Sequence, residues 1–79
     1  MSHHRTALEL AQEGKWDEAH EMVQPYEDKL SCLIHALLHR EEGDDANAGY
    51  WYRQASEAFP QNSLEEEWDR LYRMAARDS

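Results

Sequence analysis

Cysteine, proline, glycine and basic side chains are all scarce in this chain of 79 residues, and each scarcity removes a class of answers. A single cysteine, Cys32, excludes an intramolecular disulfide, and the dense ligand spacing of familiar zinc motifs is missing. Three isolated glycines make no phosphate-cradling loop, so no nucleotide site is expected. Eight Lys and Arg stand against 17 Asp and Glu, a formal net charge of -9, and no two basic residues are adjacent. Such a chain repels a nucleic-acid backbone and an anionic membrane surface, and it suits a basic partner. No apolar run is long enough for a signal peptide or a spanning helix, which leads to the expectation of a cytoplasmic protein.

What the sequence does have is large aromatic area for its size: three Trp, four Tyr and one Phe. Seventy-nine residues make one domain near the lower limit for a self-sufficient core, and aromatic burial compensates in part. Self-association is the other remedy, so a homodimer is a possible state.

A short pattern occurs twice, as Gly14-Lys-Trp-Asp-Glu-Ala19 and as Gly43-Asp-Asp-Ala-Asn-Ala48, 29 positions apart. The same offset places Ala7 and Leu8 on Ala36 and Leu37, and Met22 on Trp51, so the match runs through both flanking segments. A helical-hairpin repeat follows. Periodicity then predicts five helices and no strand. The first covers 4 to 13 and stops at Gly14, suited to a left-handed helix end. A second starts at Asp17, carries Trp16, Ala19, Met22, Val23 and Tyr26 on one side, and is limited by Pro25. The third, 28 to 42, is the most hydrophobic, with Leu30, Leu33, Ile34, Leu37 and Leu38, and should be central. Asp44 or Asp45 caps the fourth, which bears Ala48, Trp51, Tyr52 and Ala55 and is closed by Pro60. Ser63-Leu-Glu-Glu66 is a capping box for the fifth, with Leu64, Trp68, Leu71, Tyr72 and Ala75 as its apolar stripe. Glu65 to Glu67 read as the acidic start that the helix dipole favours.

Gly43, Ala48, Tyr52, Ala55 and Pro60 in the second copy, with Gly14, Trp16 and Ala19 in the first, fall at a spacing that resembles the tetratricopeptide repeat. That resemblance implies an all-α fold of two degenerate antiparallel hairpins, 4–24 and 28–59, with a capping helix at 63–78, in a single domain spanning 1–79. Departures are concentrated in the third helix, where Cys32, His35 and His39 replace the usual aromatic, leucine and tyrosine. A narrower resemblance covers His35-Ala-Leu-Leu-His-Arg-Glu-Glu-Gly-Asp44 and Asn47-Ala-Gly-Tyr-Trp-Tyr-Arg53. It is similar to a family of small, mainly bacterial proteins bearing that signature, which implies a helical domain and names no activity.

Three constellations carry chemistry. Cys32, His35 and His39 stand at i, i+3 and i+7, hence on one helix face, where imidazoles and a thiolate could hold a borderline metal, with His20 or a carboxylate as fourth ligand. The plainer reading, packing and hydrogen bonding, is preferred, so no metal or other cofactor is expected. Tyr50, Trp51 and Tyr52 fan over about 200 degrees of helix, so they cannot share one core. With Trp51 and Tyr52 inward, Tyr50 is left for another surface beside Arg53, an aromatic and cationic patch edged by His39, Arg40 and Asn47. The acidic turn from Glu41 to Asp45 lacks the alternating ligands of a calcium loop. His3 and His4 receive no functional weight.

No nucleophile, base and orienter can be read together, which disfavours an enzyme. The preferred function is a protein-interaction or regulatory module that docks a peptide or helix on the surface of the third and fourth helices. His39, Arg40, Asn47, Tyr50, Trp51 and Arg53 would form the contact, with His35 and His39 lining the neighbouring groove. The alternative is a small-molecule-binding or metal-binding domain or enzyme built on Cys32, His35 and His39.

Overall fold

Ten consecutive residues from Leu30 to His39 are buried, and a helix hydrophobic on every side must lie in the middle of its domain. In the computed structural model, which describes residues 3–78 apart from the side chain of Asp78, this helix is surrounded by the other four. The elements are α1 (His3–Gln12), α2 (Trp16–Val23), α3 (Lys29–Glu41), α4 (Asp45–Gln54) and α5 (Leu64–Asp78), with no strand among the described residues. The all-α class with five helices is thus observed; the outermost residues of the expected domain, 1, 2 and 79, lie outside the described residues. No helix among the described residues is long and apolar enough to cross a membrane.

α3 packs against α1, α2, α4 and α5; α1 packs in addition against α2 and α5. α4 packs its backbone against α3 alone among the described residues. The core comprises Ala7 and Leu8 of α1, Ala19 and Val23 of α2, the apolar residues of α3, Ala48 and Tyr52 of α4 with Ala55 at its end, and Leu71 and Ala75 of α5. Fully buried Ala19 and Ala48 hold corresponding positions on α2 and α4, where a small side chain lets a helix approach its neighbour closely.

The repeat is visible in the turns. Gly14 (φ 85°) and Gly43 (φ 84°) end α1 and α3 in the left-handed region. The Gly14 amide donates to the Ala11 carbonyl at 3.0 Å and the Lys15 amide to Leu10 at 2.9 Å; at the second turn Gly43 donates to Arg40 at 3.1 Å and Asp44 to His39 at 2.9 Å. This paired bonding satisfies carbonyls that the helix end would orphan. α4 ends by the same device at Ser56 (φ 62°), whose amide donates to Arg53 while Glu57 donates to Tyr52, both at 2.9 Å. Pro60 therefore does not close α4: the helix has ended at Gln54, five residues before the proline could disturb residue 59.

Caps fix the remaining starts. Asp28 accepts from the Ser31 amide at 3.1 Å and opens α3; Asp44, rather than Asp45, accepts from the Asn47 amide at 3.2 Å and opens α4. The Ser63 and Glu66 capping box is formed in both directions, at 2.9 and 3.1 Å. α5 lies on α1 and α3, and its buried stripe is Glu67, Leu71 and Ala75. Leu64, expected in that stripe, is exposed, because the stripe runs at i+4 from Glu67 and Leu64 stands one residue short of its extension.

Candidate functional site

Two helices bring three imidazoles together. His35 and His39 are one turn apart on α3, and His20 arrives from the last turn of α2. The His20 ring meets His35 edge-on at 4.5 Å (85°) and His39 at 5.4 Å (76°), while His35 and His39 lie 5.0 Å apart at 26°. One ligand-capable atom from each of the three falls within 4.8 Å of the others.

Indoles close the cluster on both sides. Trp16 at the start of α2 stacks on His20 at 4.8 Å and donates its N–H to the Leu38 carbonyl at 2.7 Å. Trp51 of α4 stacks on His35 at 3.8 Å and 13°. α2 and α4 do not pack on each other, so this row of rings over α3 is what spans them.

The three imidazoles differ in their surroundings. Burial, reinforced by His20 and His39, pushes the His35 pKa down to about 3, so this ring is neutral at physiological pH. Its Nδ1 is buried and has no hydrogen-bond partner among the described residues. His20 is also lowered, chiefly by burial and then by His39, against the opposing pull of Glu42, Asp17 and Glu21. His39 places Nδ1 at 2.7 Å from Glu42 Oε2. With Nδ1 donating to that carboxylate, Nε2 is the ring nitrogen left for another partner. Neutral imidazoles with free lone pairs are suited to borderline transition metals.

The candidates from sequence divide among three places. Cys32 does not join the histidines: its thiol donates to the Glu27 carbonyl at 3.7 Å, and burial, then Asp28 and Glu27, raise its pKa, disfavouring the thiolate a metal needs. His20 takes the place that the sequence offered to Cys32, a contact across helices that spacing within α3 could not reveal. On α4, Tyr50 is 46 % exposed with its ring edge-on to half-buried Trp51 at 5.1 Å, and Arg53 is exposed beside Gly49. Asn47 is half-buried and its amide belongs to the α4 cap. Arg40 is turned inward, donating to Asn62 Oδ1 at 2.9 Å, to the Asn62 carbonyl at 2.7 Å and to the Tyr52 hydroxyl at 3.3 Å. Arg40, through Tyr52, and His35, stacked on Trp51, thus support α4 from beneath, Tyr50, Trp51 and Arg53 form its outer part, and the His39 side chain faces α2 and Glu42 instead.

A buried carboxylate went unread in the sequence. Glu67 is fully buried and accepts from Tyr52 Oη at 2.8 Å, Asn62 Nδ2 at 2.8 Å, Arg70 Nε at 2.8 Å and Arg70 Nη2 at 2.9 Å. Burial alone would raise its pKa, yet bonds from Arg70, Asn62 and Tyr52 hold it below the usual carboxylate range. Burial raises the Tyr52 phenol, which therefore remains a donor. Arg70 also reaches Glu57 at 3.2 Å, and Glu57 pairs with Lys29 at 3.3 Å. The clasp ties α5 to α3, α4 and the connection between α4 and α5. Its signal was available: Glu67 stands four residues before Leu71 and three before Arg70.

His3 and His4, set aside in the sequence, also make contacts. His3 stacks on Tyr26 at 3.9 Å and meets Ser31 Oγ at 2.8 Å; His4 pairs with Asp28 at 2.7 Å. Hydrogen bonds from Ser31 and His4 outweigh the burial that would raise Asp28, and its pKa is lowered. On the far side of α5, Arg70, Arg73, Ala76 and Arg77 line an open cavity of about 420 Å³, with Arg73 paired to Asp69 at 3.1 Å. Comparison with protein-family models, with curated proteins and with solved structures gives no match.

Proposed function

We propose that the chain is a small helical interaction module, tetratricopeptide-like in build, that docks a basic peptide or helix with an apolar face on the outer side of α4. The observation that carries this reading is the half-exposed Tyr50 ring, set edge-on against Trp51 on α4. A tyrosine held by an indole neighbour offers large contact area at little further cost in side-chain freedom, as interface anchors do. Arg53 supplies donors for a partner's carbonyl groups. Exposed Glu41, Glu42, Asp44 and Asp45 at the head of α4, together with the net charge of -9, select a basic partner and steer its approach. Arg40, bonded to Tyr52, and His35, stacked on Trp51, hold the platform in place, and His39 stands at its edge.

The test is selection of helical peptides from a displayed random library on the immobilised full chain, with affinities then measured by calorimetry. Selected peptides should be basic, and Tyr50→Ala should weaken them at least about thirtyfold, the least expected of a hot spot. Arg53→Ala should weaken them less, Arg5→Ala on α1 should change nothing, and far-UV circular dichroism should stay unaltered in all three. Binding indifferent to both α4 substitutions, or a dimer that buries Tyr50, would refute the reading.

A further inference from the structure

We propose that His20, His35 and His39 bind one divalent transition metal of the zinc class, which staples α2 to α3. The inference is independent of the α4 docking face and rests on the geometry of the ring cluster.

Three features point to an ion rather than to packing alone. Ligand-capable atoms of the three rings lie within 4.8 Å of one another. A tetrahedral site with metal–nitrogen bonds of 2.0–2.1 Å needs nitrogens about 3.3 Å apart, so the rings must close by roughly 1.5 Å at most, within reach of small side-chain rotations. Second, His35 carries a buried Nδ1 with no hydrogen-bond partner among the described residues. A buried polar atom left unpaired is costly, and a metal satisfies a histidine from which the fold withholds a hydrogen bond. Third, Glu42 accepts from His39 on the Nδ1 side at 2.7 Å, the carboxylate-behind-imidazole arrangement that fixes the tautomer and makes the remaining nitrogen a stronger ligand.

The surroundings agree with this reading. Trp16 and Trp51 cover the cluster from α2 and α4. Three protein ligands leave a fourth position for water or an incoming donor. Since His20 is the ligand from outside α3, the ion would couple two helices of a small core, as structural metals do where a core is marginal.

His3, His4 and Asp28 form a second group of ligand-capable atoms, whose histidines are removed for the test, and His39, Glu42 and Asp44 form a third, which substitution of His20 distinguishes from the first. The full chain carrying His3→Ala and His4→Ala, free of any affinity tag and stripped with chelator, is titrated with Co²⁺ and followed by its visible absorption, then challenged with Zn²⁺. The expected result is one Co²⁺ per chain with the intense bands of a four- or five-coordinate ion, displacement by Zn²⁺, and a higher thermal midpoint with either ion. Glu42→Gln, a substitution at an exposed position, should weaken binding about 10- to 100-fold, and His20→Ala should weaken it further while leaving the metal-free circular dichroism unchanged. No stoichiometric uptake in the His3→Ala/His4→Ala chain would overturn the proposal. So would unaltered affinity in His20→Ala or, where that chain fails to fold, in His20→Gln, since His39, Glu42 and Asp44 would then hold the ion without His20.

Discussion

Replacing Arg70 by Met should cost more stability than replacing Glu67 by Gln, although both break the same ion pair. Glu67 is fully buried, whereas the Arg70 side chain is 31 % exposed. Arg70→Met leaves a buried carboxylate with only the Tyr52 and Asn62 donors, and removing one member of a buried pair costs about 3–5 kcal/mol. Glu67→Gln keeps the shape and removes the charge; Arg70 can turn to Glu57, 3.2 Å away, and to water, so roughly 1–2 kcal/mol is lost. The double variant buries no charge and should be more stable than Arg70→Met alone by about 1–2 kcal/mol. Urea melts followed by tryptophan fluorescence give the three values.

Acidification sharpens the test. In the native chain the folded pKa of Glu67 lies below its ordinary value of 4.5, so its contribution is fully present above that value and is lost as pH falls through the folded one. Without Arg70, burial becomes the dominant influence and the folded pKa rises. The folded state then binds the proton first, and the Arg70→Met chain should gain stability relative to wild type between neutral pH and about pH 4. A loss below about 0.5 kcal/mol in Arg70→Met, or a double variant weaker than that single one, would refute the account of the clasp.

Backbone and cap positions give further expectations. Nothing lies within 4 Å of a β-carbon built on Gly43, so Gly43→Ala meets only the penalty of its φ of 84°, about 1–2 kcal/mol. Ser56 already bears that penalty at φ 62°, and Ser56→Gly should raise the thermal midpoint by a few degrees, corresponding to about 0.5–1 kcal/mol; a lower midpoint would contradict the left-handed assignment. Asp28→Ala should lose about 1 kcal/mol as the α3 cap disappears, with Asp28→Asn closer to wild type in the same melts because asparagine still accepts from Ser31.

The helices and their two glycine turns were legible because local rules determine them: Gly14 and Gly43 recur with matched neighbours, and Ser63 and Glu66 stand at the spacing of a capping box. The end of α4 was not. Serine seldom adopts a left-handed conformation, so Ser56 gave no stop signal and Pro60 drew the boundary too far. Glu67 was hidden inside an acidic run that suits a helix start, although only one of those three glutamates falls on the face shared by Leu71 and Ala75. His35 and His39 could be paired from their spacing on one helix. His20 could not be weighed against Cys32 without the packing of α2 on α3, and the inward turn of Arg40 likewise depends on where Asn62 and Phe59, whose ring lies 5.2 Å from the Arg40 guanidinium, stand in the connection before α5.

The lid formed by α5 has a consequence for the order of assembly. α1 and α3 turn a shared face toward the last of the five helices, and the Tyr72 hydroxyl reaches Gln12 across 60 positions of sequence at 2.9 Å. Both hairpins can form while the chain is still being made, but that shared face stays wet until α5 has left the ribosome. For that interval the nascent chain carries an apolar surface that only its own later residues can cover, which makes the emergence of α5, rather than formation of the hairpins, the event that closes the core.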